Sequence, residues 1–408
     1  MNVLIVSQYF WPENFRINEL ATELSKKGHK VIVYTGLPNY PEGEIYKKYR
    51  KNKNNFEKYG DIKVLRVPII PRGRNYFFLC LNYLSFVFMG ILLAPFKLKN
   101  ENIDIVFTFQ TSPIFVGFIS AYIAWFKKIP HLMWVLDLWP DTLFAVEVIK
   151  SKFILKIIGN LVRFIYSRCN LLLVQSESFK KNIAKYFPFE EKVIFFPAWS
   201  DSVFNNKNIL PATEIKAVKD KFTIIFAGNL GIGQDLPSII SAFKILKDKK
   251  IQTRLIIIGD GRMKKKIKEL IKTHKLEKYV FLIGKYPLSK MPSFFKHADA
   301  LIVSLKDNQI FNMTIPGKIQ SYLAAGVPIL GMLNGEGAKI IEKANAGLTC
   351  KAGDIKSLAN IIIKLISKSK RERKELGING INYSNRYFKK EKLIDKLEKY
   401  LENLIYKI

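Results

Sequence analysis

The chain has 408 residues, 49% of them hydrophobic and 25% charged; this is enough for two globular domains and excludes a disordered, collagen-like or low-complexity protein. Its 66 Lys and Arg against 34 Asp and Glu leave a net charge of +32, which favours anionic partners: nucleic acid, acidic membrane surfaces or phosphorylated substrates. Cys80, Cys169 and Cys350 are far apart and lack paired Cys or His spacing, which points away from a disulfide framework or a zinc site and fits a reducing cytoplasm.

The first apolar run, 2–7, lacks the cationic start and small-residue cleavage site of a signal peptide and reads as a strand. Further short apolar runs at 30–35, 62–67, 104–109, 131–136 and 171–175 alternate with helical patterns, the mark of βαβ units and a parallel sheet. Residues 75–96 carry no charged side chain and are flanked by Arg72, Arg74, Lys97 and Lys99; the run is long enough to cross a bilayer. The strands at 62–67 and 104–109 read as neighbours in one sheet, however, and a span would put them on opposite sides of the membrane. We therefore expect an apolar helix packed in the first domain, with one face at the lipid interface and the flanking cations on anionic headgroups. Residues 113–126, with Phe115, Phe118, Tyr122, Trp125 and Phe126 before Lys127 and Lys128, extend that surface.

Residues 201–220 are polar and without periodicity, as a linker would be. Strands resume at 222–228, 254–259, 279–283, 299–304 and 328–332, with amphipathic segments at 237–248 and 262–275 and a final amphipathic helix at 389–405.

Several chemistries are disfavoured. Gly317-Lys318 is followed by Ile319, so no Walker A loop exists, and no glycine lies between Met1 and Gly28, so the dinucleotide fingerprint is missing from the first turn. His29, His131, His274 and His297 form no metal motif, and His29 sits at a helix-to-strand turn. The stretch Gly228-Asn229-Leu230-Gly231-Ile232-Gly233-Gln234-Asp235 is different: it follows a strand and leads into a helix, where glycines admit a close ligand and free amides favour phosphate, although a tight turn has the same composition. Lys318, just after Pro316 at a helix start, opposes the helix dipole unless it meets an anion or simply reaches into water. Glu336 is either a helix-start carboxylate or an acceptor for a sugar hydroxyl.

Tyr9-Phe10-Trp11-Pro12-Glu13, Gly36-Leu37-Pro38-Asn39-Tyr40-Pro41, Asp137-Leu138-Trp139-Pro140-Asp141, Pro197-Ala198-Trp199-Ser200-Asp201, Phe226-Ala227-Gly228-Asn229-Leu230-Gly231, Gly259-Asp260-Gly261 and the 316–328 segment follow one another over nearly the whole chain. In that order they resemble glycosyltransferase family 4, and within it the bacterial branch that builds O-antigen or capsule and includes N-acetylfucosamine transferases. The resemblance implies an α/β protein of the GT-B fold, two Rossmann-like domains whose parallel sheets face across a cleft. Residues 1–200 plus 389–408 would bind the acceptor and face the membrane, residues 201–388 would bind the nucleotide-sugar donor, and the final helix would cross back to the first domain.

It further implies a retaining, metal-independent transfer of a sugar, an N-acetylated amino sugar from a UDP donor, to a polyprenyl-diphosphate-linked glycan at the inner face of the plasma membrane. No cofactor, metal or nucleic acid is expected. Gly228, Asn229, Gln234, Asp235, Arg262, Lys318, Ser321 and Glu336 fall on the donor side. Asp137 and Asp141 are the candidates for touching the acceptor hydroxyl or the reacting sugar, with an N-cap and a turn carboxylate as the other reading. Glu13, Asn14 and Arg16 fall on the acceptor and membrane side.

The chain departs from the family pattern at telling places. Where many members carry two glutamates eight residues apart, the later one on the ribose, this chain has Met313 and Ser321; where many have an arginine and a lysine it has Asn229 and Gln234, which puts more weight on Lys318. Leu136 replaces a histidine that many relatives have beside the aspartate. A sugar-nucleotide 2-epimerase of the same fold is the alternative enzyme, but neither the charge nor the scattered histidines suit it. A basic nucleic-acid-binding protein would follow from charge alone, yet no recognition-helix, RNA-recognition or zinc-finger pattern is present.

Overall fold

The structure, a computed structural model, describes residues 1–406 except Arg74, Val146, Glu147, 206–208, Ala217 and Lys219. Arg74, one of the cations flanking the apolar run, thus lies outside the described residues. The chain forms two compact units, Met1–Phe196 joined by the stretch from Glu391, and Pro197–Lys390. The segment after Phe196 belongs to the second unit because the Ser200 amide donates to the Phe388 carbonyl (2.9 Å) and Gln320 Nε2 to the Ala198 carbonyl (2.7 Å). The boundaries therefore fall at 196/197 and 390/391 instead of after 200 and 388.

The first unit holds β1 (Asn2–Val6), β2 (Lys30–Gly36), β3 (Lys58–Tyr59), β4 (Ile62–Val67), β5 (Ile105–Gln110), β6 (His131–Val135), β7 (Leu171–Val174) and β8 (Val193–Phe195), in the order β3-β4-β2-β1-β5-β6-β7-β8. All pairings are parallel except β3 with β4. Because helices cover a parallel sheet on both faces, its strands are apolar without alternation; β5 and β6 are buried at every position. β4 and β5 share one sheet, as expected, but are not neighbours: β2 and β1 lie between them.

The helix between them, Tyr76–Lys97, starts on Asn75, whose side chain accepts from the Phe78 amide. It is long and apolar enough to cross a membrane, with a mean hydropathy of 2.2, yet it packs on the sheet along one stripe. Asn82, Phe86, Gly90 and Ala94, four apart, are its buried residues; Tyr34 Oη donates to the Gly90 carbonyl at 2.8 Å, and a Cβ at Gly90 would strike Ile119 of the helix Val116–Lys127. The opposite stripe, Leu84, Phe88, Leu92 and Phe96, is exposed.

The second unit holds β9 (Phe222–Ala227), β10 (Thr253–Ile258), β11 (Val280–Gly284), β12 (Ala300–Ser304), β13 (Ile329–Met332) and β14 (Gly347–Cys350), all parallel, in the order β11-β10-β9-β12-β13-β14. The described part of 201–220 is not a free linker. Phe204 stacks on Phe295 (5.6 Å between ring centres), the Ala212 amide donates to the Ser293 carbonyl (3.0 Å) and Arg254 to the Lys216 carbonyl (2.8 Å), so this strap, with a 3-10 turn at Ser202–Asn205 as its one regular stretch among the described residues, adheres to the second unit.

The helix Lys390–Tyr406 belongs to the first unit. It buries Leu393, Ile394, Leu397 and Leu401, and Glu398 accepts from His29 Nε2 (2.7 Å) and Lys27 Nζ (2.8 Å). His29 thus lies in the turn between the helix Arg16–Lys26 and β2, as its sequence context predicts.

Candidate functional site

In open α/β sheets ligands bind beyond the carboxyl ends of the strands where the strand order reverses. In the second unit that point lies between β9 and β12, and the Gly228–Asp235 loop leaves β9 there. The loop is tied to its neighbours: the Leu230 amide donates to the Asp260 carbonyl (2.9 Å), the Lys306 amide to the Gly233 carbonyl (2.9 Å), and Ser304 Oγ to the Gln234 carbonyl.

Lys318 enters from the helix Gly317–Ala325, one residue after its start. Its stem passes against Gly228, which has φ +141°; any side chain there would be strained, and its Cβ would collide with the Lys318 Cε. The Nζ donates to Gln234 Oε1 and stands 4.0 Å from the centre of the Phe226 ring. Among the described residues no carboxylate meets it there, and burial lowers its pKa from 10.5 to about 7. Tyr322, one turn on, fixes the end of β9 by taking the Ala227 amide at 3.0 Å. A cation held beside a glycine loop, with only neutral groups in contact, is poised for an anionic ligand.

The other predicted donor residues are placed less evenly. Asn229 is exposed at the loop tip, where its Oδ1 abuts the space a Cβ on Gly261 would fill, and Arg262 follows with an exposed side chain. Asp235 is buried in the left-handed region (φ +45°) before the helix Leu236–Asp248 and makes no capping bond. Ser321 Oγ donates to Asp201 Oδ2 at 3.0 Å. Glu336 opens the helix Glu336–Lys343, with Lys339 Nζ 3.3 Å away.

In the first unit Asp137 follows β6. Its Oδ1 accepts from Thr142 Oγ1 at 2.7 Å, and burial pushes its pKa up against the pull of neighbouring hydrogen bonds. Asp141 begins the short helix Asp141–Ala145 and accepts from Asn182 Nδ2 at 2.7 Å. Asn14 is exposed and Arg16 is the first residue of its helix, whereas Glu13, just before them, is buried. Its Oε1 accepts from the amides of Asn39 (2.8 Å) and Tyr40 (2.7 Å), and its Oε2 from that of Phe10 (3.3 Å). No group of three or more His, Cys, Asp or Glu among the described residues is placed to hold a metal.

Two family profiles match, Glycosyltransferase Family 4 over residues 15–198 and Glycosyl transferases group 1 over residues 212–383. Together they take in most of both units. The chain belongs to glycosyltransferase family 4.

This glycosyltransferase-family chain is 27% identical over 241 residues to the probable glycosyltransferase WbjE of Pseudomonas aeruginosa, an alignment covering 56% of the chain and 58% of that relative. It is 23% identical over 348 residues to the putative colanic acid biosynthesis glycosyl transferase WcaI of Escherichia coli, covering 80% and 82%. The crystal structure of Anabaena HepE in complex with UDP and glucose superposes with a TM-score of 0.68 at 14% identity, over 98% of this chain and 99% of that one. The fold is GT-B.

Sequence reasoning placed Gln234 and Ser321 on the donor side of this family 4 chain but missed what they touch, and it missed Asn82 altogether. Gln234 meets Lys318 itself, and Asp201 meets Ser321, across 84 and 120 positions. In the first unit Asn82 receives Gln8 Nε2 (2.8 Å) and donates to the Ile70 carbonyl (2.6 Å); an amide inside an uncharged apolar run, beyond the Asn75 that caps it, was the available signal.

Glu13 carries a prediction of its own. Glu13→Ala leaves three amides without their acceptor and lowers stability by about 3 kcal/mol in a thermal or urea melt. Burial raises the Glu13 pKa from 4.5 to about 7, so the unfolded chain releases this proton first and wild-type stability falls as pH rises from 4.5 through 7. The stability gap to the non-titrating Glu13→Gln should shrink over that range; a constant gap would show that the carboxylate is not perturbed.

Proposed function

We propose that the chain transfers a sugar from a nucleoside-diphosphate donor bound by the second unit to a lipid-linked glycan bound by the first, in the making of a bacterial surface polysaccharide. The observation that carries the reading is Lys318 held against Gly228 at the switch point of the β9–β12 sheet. The leaving group of such a transfer is a diphosphate, whose developing charge needs fixed donors; Lys318 is such a donor beside the glycine loop, and an arriving anion restores its proton. Transfer with retention and without metal or other cofactor follows from the family resemblance. UDP as the donor nucleotide is supported by HepE, solved with UDP, and the N-acetylated amino sugar by the motifs shared with the O-antigen and capsule branch.

Asp137 and Asp141 are the carboxylates assigned to the acceptor or the reacting sugar. The exposed stripe of Tyr76–Lys97, with Trp125 and Phe126 and the basic surface charge, supports peripheral attachment to the anionic inner face of the plasma membrane.

Thermal shift and calorimetry of the purified protein with UDP, GDP, ADP and dTDP, with and without magnesium, test the donor reading. One nucleotide should stabilise the protein saturably and equally in both conditions, by roughly 2.7 kcal/mol at 100 times its dissociation constant. No shift with any nucleotide refutes a donor site at Lys318.

A further inference from the structure

A cavity of about 510 Å³ in the first unit has no part in the donor site. One wall is the helix Lys152–Ser167, which presents Lys152, Lys156 and Arg163; Asp141, Phe144 and Tyr186 line the other side. At 100° per residue, positions 152, 156, 159 and 163 fall on one stripe of that helix. The face that buries Ile158, Val162 and Ile165 lies on one side of this stripe. On the other side come Phe153, Ile157 and Phe164, exposed by 73%, 45% and 44%. An ordinary surface helix has one apolar face and one polar face; this helix has a second apolar stripe, turned to solvent, beside its cations. Among the described residues no carboxylate pairs with Lys152, Lys156 or Arg163, and Arg163 donates only to the neighbouring Asn160 (3.3 Å).

We propose that this cavity receives the diphosphate of a lipid-linked acceptor, with the lipid chain running along Phe153, Ile157 and Phe164. The inference rests on the acceptor reading given above and adds the group recognised and the residues that recognise it. Three cations around a concave space match the two negative charges of a diphosphate that joins lipid to glycan, and the two to three of the farnesyl diphosphate probe, better than the single charge of a phosphodiester headgroup. The apolar stripe beside them matches a hydrocarbon chain that starts at the phosphate. Asp141 lines the same cavity, so the first sugar beyond the diphosphate would lie next to the segment that carries Asp137.

The test uses the full chain and farnesyl diphosphate as the probe, with inorganic diphosphate, farnesol and phosphatidylglycerol vesicles as comparisons, and UDP-induced thermal shift measured on the same samples. Farnesyl diphosphate should bind saturably and more tightly than inorganic diphosphate or farnesol. Lys152→Ala/Lys156→Ala should weaken that binding about tenfold or more, Phe153→Ser should erase the advantage over inorganic diphosphate, and the UDP shift should stay as in wild type. The two lysines are exposed, so the double variant should fold. Unchanged farnesyl diphosphate binding in that variant overturns the proposal, as does a loss of vesicle association alone, which would mean that the lysines read phospholipid headgroups. A wild-type protein that takes UDP but not farnesyl diphosphate also overturns it while leaving the donor reading intact. Tight farnesyl diphosphate binding without any UDP shift supports the cavity and strikes only the donor site.

Discussion

Lys318→Met is expected to melt above wild type in the nucleotide-free protein and to bind the donor roughly a hundredfold more weakly. The two effects have one cause. Charge-assisted hydrogen bonds to a phosphate contribute about 1.5–3 kcal/mol each, and Lys318 is the cation beside a loop whose side chains, apart from the buried Asp235, are neutral, Asn229 and Gln234 among them. Without a ligand the same charge is a burden: the unfolded chain keeps the Lys318 proton up to 10.5, the folded chain gives it up near 7, and stability rises with pH between those values. The burden is greatest below pH 7, partly offset by the Gln234 bond and the Phe226 ring, so the methionine variant should gain about 1–2 kcal/mol near neutrality, a few degrees in melting temperature. The gain should shrink toward pH 10. Donor affinity should fall in wild type as pH rises above 7 and stay flat in Lys318→Arg. A methionine variant that binds UDP normally removes Lys318 from the site; one that melts lower at every pH shows that burial of the amine carries no penalty.

Asp137→Asn is expected to lower turnover by two to four orders of magnitude, the range for loss of a proton-transfer group, with donor affinity within about twofold of wild type. The substitution keeps the shape and an acceptor for Thr142 Oγ1, and Thr142 sits in the first turn after the Asp137–Asp141 segment, so the local structure should survive. Loss of stability in proportion to loss of turnover would instead assign Asp137 to the turn alone. Single-turnover rates and equilibrium UDP binding on the same preparation separate the two cases, because a turn residue changes both through the folded fraction and an acceptor-side carboxylate changes only the rate.

Strands covered on both faces could be read directly from the chain, since Val3–Val6 and Thr253–Ile258 are runs of buried residues with no polar alternation to confuse them. The short edge strands Lys58–Tyr59, Val193–Phe195 and Gly347–Cys350 escaped notice: they are held by pairing to one neighbour and leave much of their length to solvent. The glycine loop and Lys318 were legible because close approach and a cation at a helix start leave a trace in residue type. Their partner was not, because nothing in the composition of 228–235 says that Gln234, and no carboxylate, meets the amine. Glu13 shows the same limit from the other side. Its motif put it on the acceptor and membrane side but gave no sign that its carboxylate closes onto amides some 26 residues away, a relation that exists only in the folded sheet.

The Lys390–Tyr406 helix, whose Glu398 clasps Lys27 and His29, has a bearing on how this protein is made. A ribosome completes β1 to β8 and then translates the whole second unit, roughly ten to forty seconds of synthesis, before the leucines that complete the first unit emerge. During that interval the first unit must wait with an apolar seam open, so nascent-chain chaperones should favour this half, and the second unit, which needs nothing from later in the chain, should be the first to resist protease during translation.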